Sequence, residues 1–391
     1  MGESDLNKRK ICIVLTTRGN YAKMKSVITK IEESDDLELQ IVLGGMVVLE
    51  KYGRILESLK TKKLHVLRNI NFVIEGESLV TMTKSAGLAV SEFATAFDDL
   101  KPDMVVVIAD RFECLSIAMT AAYMNIAVAH VEGGEVSGSI DESIRHAITK
   151  MAHVHFPASK EAADRIERMG EDKPTIHHVG GTSMDVIRQL DLNNLDEVNE
   201  FQKENGIGEQ IKLEKNKYLV VIQHPVTTEY EDNLSNIKET IAALEELKMP
   251  TIWIMPNMDA GSDGITKGIR SFREQVHPQY IHFFKSLAIE YYAPLLNNAA
   301  CIIGNSSSGI RESAYMGTPC VNIGSRQNGR ERGENVIDVG YDRNEITNAI
   351  KRQMEHGEYE HDPRYGDGYA ADKIVEVLRR CPLELQKTIT Y

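Results

Sequence analysis

Cysteine is scarce: the 391 residues hold five, Cys12, Cys114, Cys301, Cys320 and Cys381, an odd and scattered set. No pair has zinc or thioredoxin spacing, so the set reads as buried free thiols in a reducing compartment and not as a disulfide framework. No apolar run reaches the ~20 residues of a membrane-spanning helix. The N-terminus is polar and has no apolar core, so no signal peptide is expected. Positive charge is in the minority: 45 Lys and Arg against 58 Asp and Glu give a net charge of −13. That balance disfavours nonspecific binding to nucleic acid or to an anionic membrane, yet leaves room for an anionic small molecule held by a few placed arginines. No G-x-G-x-x-G follows the first strand, and no Lys-Ser or Lys-Thr follows the glycines at 304 and 309. Neither nicotinamide binding nor a Walker-type loop is therefore supported. These absences lead to an expectation of a cytoplasmic protein that needs no cofactor and touches neither nucleic acid nor membrane.

What remains is ordinary for a globular protein, with 42% hydrophobic and 26% charged residues. The length fits about two domains at ~150 residues each. Short apolar, often β-branched runs recur at residues 11–15, 39–43, 104–108, 126–129 and 153–156, and again at 218–222, 251–255, 281–284, 301–303 and 320–323. Several are continuous rather than alternating, as in strands covered on both faces. Helical patterns lie between them, including residues 22–32, 79–100, 160–169, 236–247 and 310–316. The alternation predicts an α/β fold of two Rossmann-like, doubly wound parallel sheets facing one another across a cleft. Residues 189–217 are polar and poor in strand signal, and read as the linker with a helical approach to the second sheet. The predicted division is 1–188 for the first domain, with the carboxylates, and 189–369 for the second, with 370–391 as a helical tail packing back on the first.

Polar and glycine-rich residues cluster where the strands stop, which in open parallel sheets is where ligands bind. Asp110 and Arg111, Glu132 and His224 each abut an apolar run directly. Asp110, Glu132 and Asp141 form the candidate acid/base set, because closely spaced carboxylates divide their protons unequally. The plainer alternative is that one or two of them are helix caps or ion-pair partners, Asp141 at the start of a helix being favoured there by the dipole alone. Arg18, Arg111, His224 and Arg326 are the candidate anion contacts; arginine suits a diphosphate through its planar fork. Ser306 and Ser307 follow a strand and lead into a predicted helix whose free N–H groups suit phosphate. An ordinary serine cap explains them as well. Glu312, predicted about two turns into that helix, is a candidate to accept from a ribose diol, with a surface or salt-bridged glutamate as the plainer alternative. His153 and His155 alternate on a strand, but no third metal ligand is apparent, so a structural role is expected and no metal.

The stretch His130-Val131-Glu132-Gly133-Gly134-Glu135-Val136-Ser137-Gly138, followed by Asp141-Glu142-Ser143-Ile144-Arg145-His146, closely resembles the hydrolysing UDP-N-acetylglucosamine 2-epimerases of sialic acid biosynthesis. The resemblance continues in order through Ala109-Asp110-Arg111-Phe112, Gln223-His224-Pro225-Val226-Thr227-Thr228, Pro256-Asn257-Met258-Asp259-Ala260-Gly261-Ser262, Gly304-Asn305-Ser306-Ser307 and Arg326-Gln327. It implies the glycosyltransferase-B-like architecture and a stand-alone bacterial type of enzyme. It also implies substrate contacts at Asn257, Asp259 and Ser262. Gly134-Glu135-Val136 and Asp141-Glu142 stand where non-hydrolysing relatives continue Ala-Gly-Leu-Arg and carry Pro-Glu-Glu, which favours the hydrolysing branch. Lys267 and Arg270 occupy the places of two arginines in the family's feedback site, and Ala22 replaces a serine of the animal enzyme, so the pattern departs there. The implied activity converts UDP-N-acetylglucosamine to N-acetylmannosamine plus UDP through a glycal. The implied partners are the UDP-sugar and UDP, with the chain a homodimer or higher homo-oligomer. UDP-N,N′-diacetylbacillosamine as substrate, a non-hydrolysing epimerase, a retaining glycosyltransferase and a catalytically silent nucleotide-sugar sensor are the alternatives.

Overall fold

A computed structural model describes residues 8–49, 65–75, 78–137, 140–256 and 261–390. The described chain divides into two compact units. The first comprises Met1–Glu135, Asp141–Val186 and Gly366–Tyr391, and the second Val136–Ile140 and Ile187–Tyr365.

The first unit runs β1 (Arg9–Leu15), α1 (Arg18–Glu32), β2 (Leu37–Gly44), β3 (Val66–Ile70), α2 (Leu79–Leu100), β4 (Met104–Ile108), α3 (Phe112–Tyr123), β5 (Ala127–Val131), α4 (Asp141–Met151), β6 (Val154–Phe156), α5 (Lys160–Arg168) and α6 (Thr182–Ile187). Its sheet has the order β3-β2-β1-β4-β5-β6 and every pairing is parallel. The strands are apolar runs because both faces are covered. All five residues of β4 are buried, for example. On one face Ile11, Ile13 and Leu15 pack with Met24, Val27, Ile28 and Ile31 of α1; on the other Cys12 and Val14 pack with Phe93 and Phe97 of α2 and Ile117 of α3. The chain winds outward from β1 to β3, then resumes at β4 beside β1. That reversal is a switch point, and it leaves a crevice outside the carboxyl ends of β1 and β4.

The last helix, α13 (Ala370–Arg380), belongs to this unit and contributes Ala370, Ala371, Ile374, Val375 and Leu378 to the core beside α1. Its free N-terminal amides are satisfied from elsewhere in the fold. The Asp185 carboxylate accepts from the backbone N–H of Ala370 at 2.8 Å and of Ala371 at 2.6 Å.

The second unit runs α7 (Asp196–Glu204), β7 (Ile207–Gly208), β8 (Leu219–Ile222), α8 (Asn233–Leu247), β9 (Thr251–Ile254), α9 (Ser262–Val276), β10 (Ile281–Phe284), α10 (Ile289–Asn297), β11 (Cys301–Gly304), α11 (Glu312–Met316), β12 (Cys320–Ile323), β13 (Val336–Val339) and α12 (Arg343–His356). The order is β13-β12-β11-β8-β9-β10-β7, parallel except for β7, which pairs antiparallel with β10. Its switch point lies between β8 and β11. Residues 189–217, read as a linker and helical approach, thus also supply an edge strand. Ile207 and Gly208 carry no apolar pattern because both are exposed.

Among the described residues, no helix is long and apolar enough to cross a membrane.

Candidate active site

In the first unit the register pairs Ile108 with Val131, so Asp110 and Glu132 follow adjacent strand ends two residues and one residue later. Both strand ends turn sharply. Ala109 and Glu132 adopt φ of +65° and +63°, a region that residues with a Cβ seldom occupy. Backbone hydrogen bonds hold the turns: Ala109 N–H donates to Val131 C=O and Glu132 N–H to Phe156 C=O, each at 3.0 Å. His130 adds a third support. Its Nε2 donates to Ala109 C=O at 3.0 Å, and its Nδ1 faces the Thr149 hydroxyl at 3.3 Å. Burial pushes its pKa down to about 4, so the ring is neutral at neutral pH. A Cβ on Gly133 would lie 2.7 Å from His130 Nδ1, which is why glycine follows the carboxylate.

The carboxylates are gripped by cations from neighbouring helices. Glu132 is 2% exposed and its Oε2 accepts from Lys23 Nζ of α1 at 2.6 Å. Arg145 of α4 is 1% exposed; its Nη2 pairs with Asp110 and its Nη1 donates to Glu135 C=O at 2.7 Å. Burial opposes the Arg145 charge, but Asp110, Glu135 and Asp141 outweigh it and raise its pKa. Asp141 is the first residue of α4, where the helix dipole favours an acid. Arg111 is anchored through Nε to the buried Glu113 at 2.9 Å. Arg18 is exposed at the first position of α1, behind a Thr17–Asn20 capping box.

In the second unit the ends of β8 and β11 are laced by Asn305. Its Oδ1 accepts from His224 N–H at 2.7 Å and its Nδ2 donates to His224 C=O at 2.9 Å. The strands approach so closely that a Cβ on Gly304, at φ +123°, would sit 2.1 Å from Ile222 C=O. Asn305 C=O in turn accepts from Arg326 Nη1 at 3.1 Å and Gln327 Nε2 at 2.8 Å, which brings the turn after β12 to the same place. Glu229 steadies that turn, pairing with the Ser325 hydroxyl and accepting from Tyr341 Oη at 3.0 Å. Ser262 is buried at the first position of α9. Asn257 and Asp259 lie outside the described residues.

One local expectation is corrected. The predicted helix over residues 310–316 is instead preceded by a 3-10 turn, Ser307–Gly309, and shortened to the five-residue α11. Serines and glycines propagate a helix poorly, so regular turns begin only at Glu312. Ser306 caps the short turn by accepting from Ser308 N–H at 3.3 Å. Glu312 is the first residue of α11, not two turns inside a helix, and it is buried.

His153 and His155 have separate partners. His153 Nδ1 accepts from Val128 N–H at 3.0 Å, whereas buried His155 meets Glu171 at 3.2 Å through Nε2. Among the described residues, no group of three or more His, Cys, Asp or Glu is arranged to hold a metal ion.

The structure thus gathers Asp110, Glu132 and Asp141 with two cations in one unit, and His224, Ser306 and Arg326 around Asn305 in the other. Lys23, Arg145 and Asn305 were not among the residues assigned from sequence. Arg145 lies one turn after Asp141, on the same helix face, which is a readable signal. Lys23 carries none, because its partner is on a distant strand. A carboxylate set with buried Glu132 and part-buried Asp110 and Asp141, two of them paired with cations, is suited to moving protons at a ring carbon and to stabilising positive charge there.

Comparison with known proteins gives the family and the fold. Residues 29–379 match the family described as UDP-N-acetylglucosamine 2-epimerase. The chain is 32% identical over 378 residues to a UDP-N,N′-diacetylbacillosamine 2-epimerase (hydrolyzing) of Legionella pneumophila, covering 97% of each chain. It is 32% identical over 374 residues to a UDP-N-acetylglucosamine 2-epimerase of Neisseria meningitidis serogroup B, covering 95% of each. Among solved structures, the Methanocaldococcus jannaschii UDP-GlcNAc 2-epimerase in complex with UDP-GlcNAc and UDP has a TM-score of 0.78 at 20% identity, covering 94% of this chain and 99% of that one. That likeness shows the fold, the glycosyltransferase-B-like pair of Rossmann-like sheets.

Proposed function

The chain belongs to the UDP-N-acetylglucosamine 2-epimerase family, and we propose that it is a hydrolysing 2-epimerase that converts UDP-N-acetylglucosamine to N-acetylmannosamine and UDP. The C1–O bond to UDP breaks while a carboxylate removes the C2 proton, giving a 2-acetamidoglucal. Water then adds its oxygen to C1, and a proton returns to C2 from the opposite face. One water is consumed, and the products are UDP and the free manno sugar.

The C2 proton is not beside a carbonyl and is poorly acidic, so departure of UDP leads and C1 gains oxocarbenium character. Asp110, Glu132 and Asp141 take the acid/base and charge-stabilising roles, as paired carboxylates do in glycosidases. Lys23 and Arg145 hold two of them in position. Arg18, Arg111, His224 and the N–H groups beyond Ser306 stabilise the departing diphosphate. Asn257, Asp259, Ser262, Ser307, Glu312 and Arg326 complete the substrate contacts, with Glu312 on the ribose diol.

The observation that carries the reading is the set of three acids at the ends of β4 and β5 and the start of α4, two of them gripped by Lys23 and Arg145. Gly134-Glu135-Val136 after Glu132 supports the hydrolysing outcome and a place in sialic acid synthesis. A second reading, the same chemistry on UDP-N,N′-diacetylbacillosamine, is favoured by the Legionella relative, whose name carries that substrate. Incubating the protein with each nucleotide sugar and separating the products by ion-exchange chromatography tests both. Free UDP from UDP-N-acetylglucosamine is expected. Free UDP from the diacetylated sugar alone would select the second reading, and a UDP-linked epimer would refute hydrolysis.

A further inference from the structure

Beyond α13 the chain continues as an extended segment in the first unit, and its contacts converge on one end of α4. Leu385 C=O accepts from His153 Nε2 at 3.2 Å, while His153 Nδ1 accepts from Val128 N–H, so the ring is held as one neutral tautomer. Lys387 Nζ donates to Lys150 C=O at 2.9 Å, to Thr149 C=O at 3.3 Å and to Ala152 C=O. Thr149 and Lys150 lie in the last turn of α4, whose carbonyls have no helical partner of their own. The same ammonium pairs with buried Glu171 at 2.6 Å, and Glu171 also pairs with Lys150 of α4 at 2.5 Å. Thr390 closes the segment, its N–H donating to Gly170 C=O and its hydroxyl to Glu171 C=O, each at 3.2 Å.

The opposite end of α4 carries Asp141, and Arg145 one turn later grips Asp110. Eleven residues span only about 16 Å, too short a rod to bend, so a shift at one end is delivered to the other. Partway along, Thr149 faces His130, which supports the Ala109 turn before Asp110.

We propose that residues 385–390 are a strap that fixes the axial position of α4, and that Lys387 is a positioning residue for Asp141 and Arg145. The catalytic consequence rests on the epimerase reading; the structural one does not. The test compares the wild-type protein with Lys387→Met, which keeps the aliphatic stem, with Lys387→Arg, and with a chain ending at Glu384. Hydrogen exchange of the amides over residues 142–151 should quicken by about tenfold or more in the Met variant and the truncated chain. Turnover should fall by a factor of about three to a hundred, the scale of a small misplacement of reacting groups. KM and UDP affinity by calorimetry should stay within about twofold, and Lys387→Arg should restore most of the turnover. Unaltered exchange over α4 in both variants would overturn the strap. So would a loss of turnover that Lys387→Arg fails to restore and that simply follows melting temperature. A wild-type protein that releases no UDP from any UDP-2-acetamido sugar would instead sink the epimerase reading, because the exchange result decides the strap by itself.

Discussion

Ala109 and Glu132 hold left-handed backbone conformations at neighbouring strand ends, each at a cost on the order of 1 kcal/mol or more. The cost is met by His130, which is hydrogen-bonded to Ala109 and packed under Gly133. The gain is direction: a strand running straight on would not turn Glu132 toward Lys23. Glu132→Gln should lower turnover by roughly 10²-fold or more, the usual weight of a general acid–base group, while UDP affinity by calorimetry changes little. Undiminished turnover would remove Glu132 from the mechanism. The buried histidine also has a pH signature. Its folded pKa of about 4 lies below the ordinary 6.5, so the unfolded chain takes up the proton first as the pH falls. Its stabilisation is complete above pH 6.5 and is lost progressively toward pH 4. Denaturant melts of His130→Gln should therefore show a flatter stability profile than wild type across that window. At this scale the sequence displays Asp110 and Glu132, because each abuts an apolar run, and hides Lys23 and Asn305, whose partners follow strands far away in the chain.

Among the elements, the strands were the most legible, because parallel strands buried on both faces are uninterrupted runs such as Met104–Ile108. β3 was missed because Arg68 and Asn69 break its pattern at the sheet edge, where two of its five residues face solvent. The helix expected over residues 310–316 begins two residues later, at Glu312, because the chain first makes the Ser306-capped turn Ser307–Gly309, which apolar spacing does not encode. α13 depends on a partner that no local pattern reveals: Asp185 caps it from α6 through two backbone amides. Asp185→Ala should lower stability by about 1–2 kcal/mol, the range for a lost helix cap, measured by urea denaturation. An unchanged midpoint would show that the cap is dispensable. The Glu171 cluster gives the strap a pH limit. Burial works against the Glu171 charge, but His155, Lys150 and Lys387 outweigh it and hold its carboxyl at about 2. Its stabilisation is therefore full above about pH 4.5 and is lost as the pH falls toward 2. The stability difference between wild type and Glu171→Gln should shrink over that interval; a constant difference would contradict the assignment.

The whole molecule repeats one plan twice, a doubly wound sheet with functional candidates after the strand ends at or beside its switch point. Asp110 follows β4 in the first unit, and His224 and Asn305 follow β8 and β11 in the second. Strand–helix alternation is enough to predict that plan, whereas the antiparallel β7 edge and the Asn305 lacing depend on contacts that alternation does not encode. The chemistry assigned to these residues uses carboxylates, cationic and polar side chains and backbone amides, so dialysis against a chelator should leave UDP release unchanged, and lost activity restored by a divalent cation would refute that. The central claim is that C2 of a UDP-2-acetamido sugar loses and regains a proton while C1 is hydrolysed. Proton NMR of UDP-N-acetylglucosamine incubated with the protein in D₂O tests it most directly. Free UDP together with N-acetylmannosamine deuterated at C2 is expected. UDP released with a C2-protonated sugar, or deuterium on a sugar still joined to UDP, would contradict it.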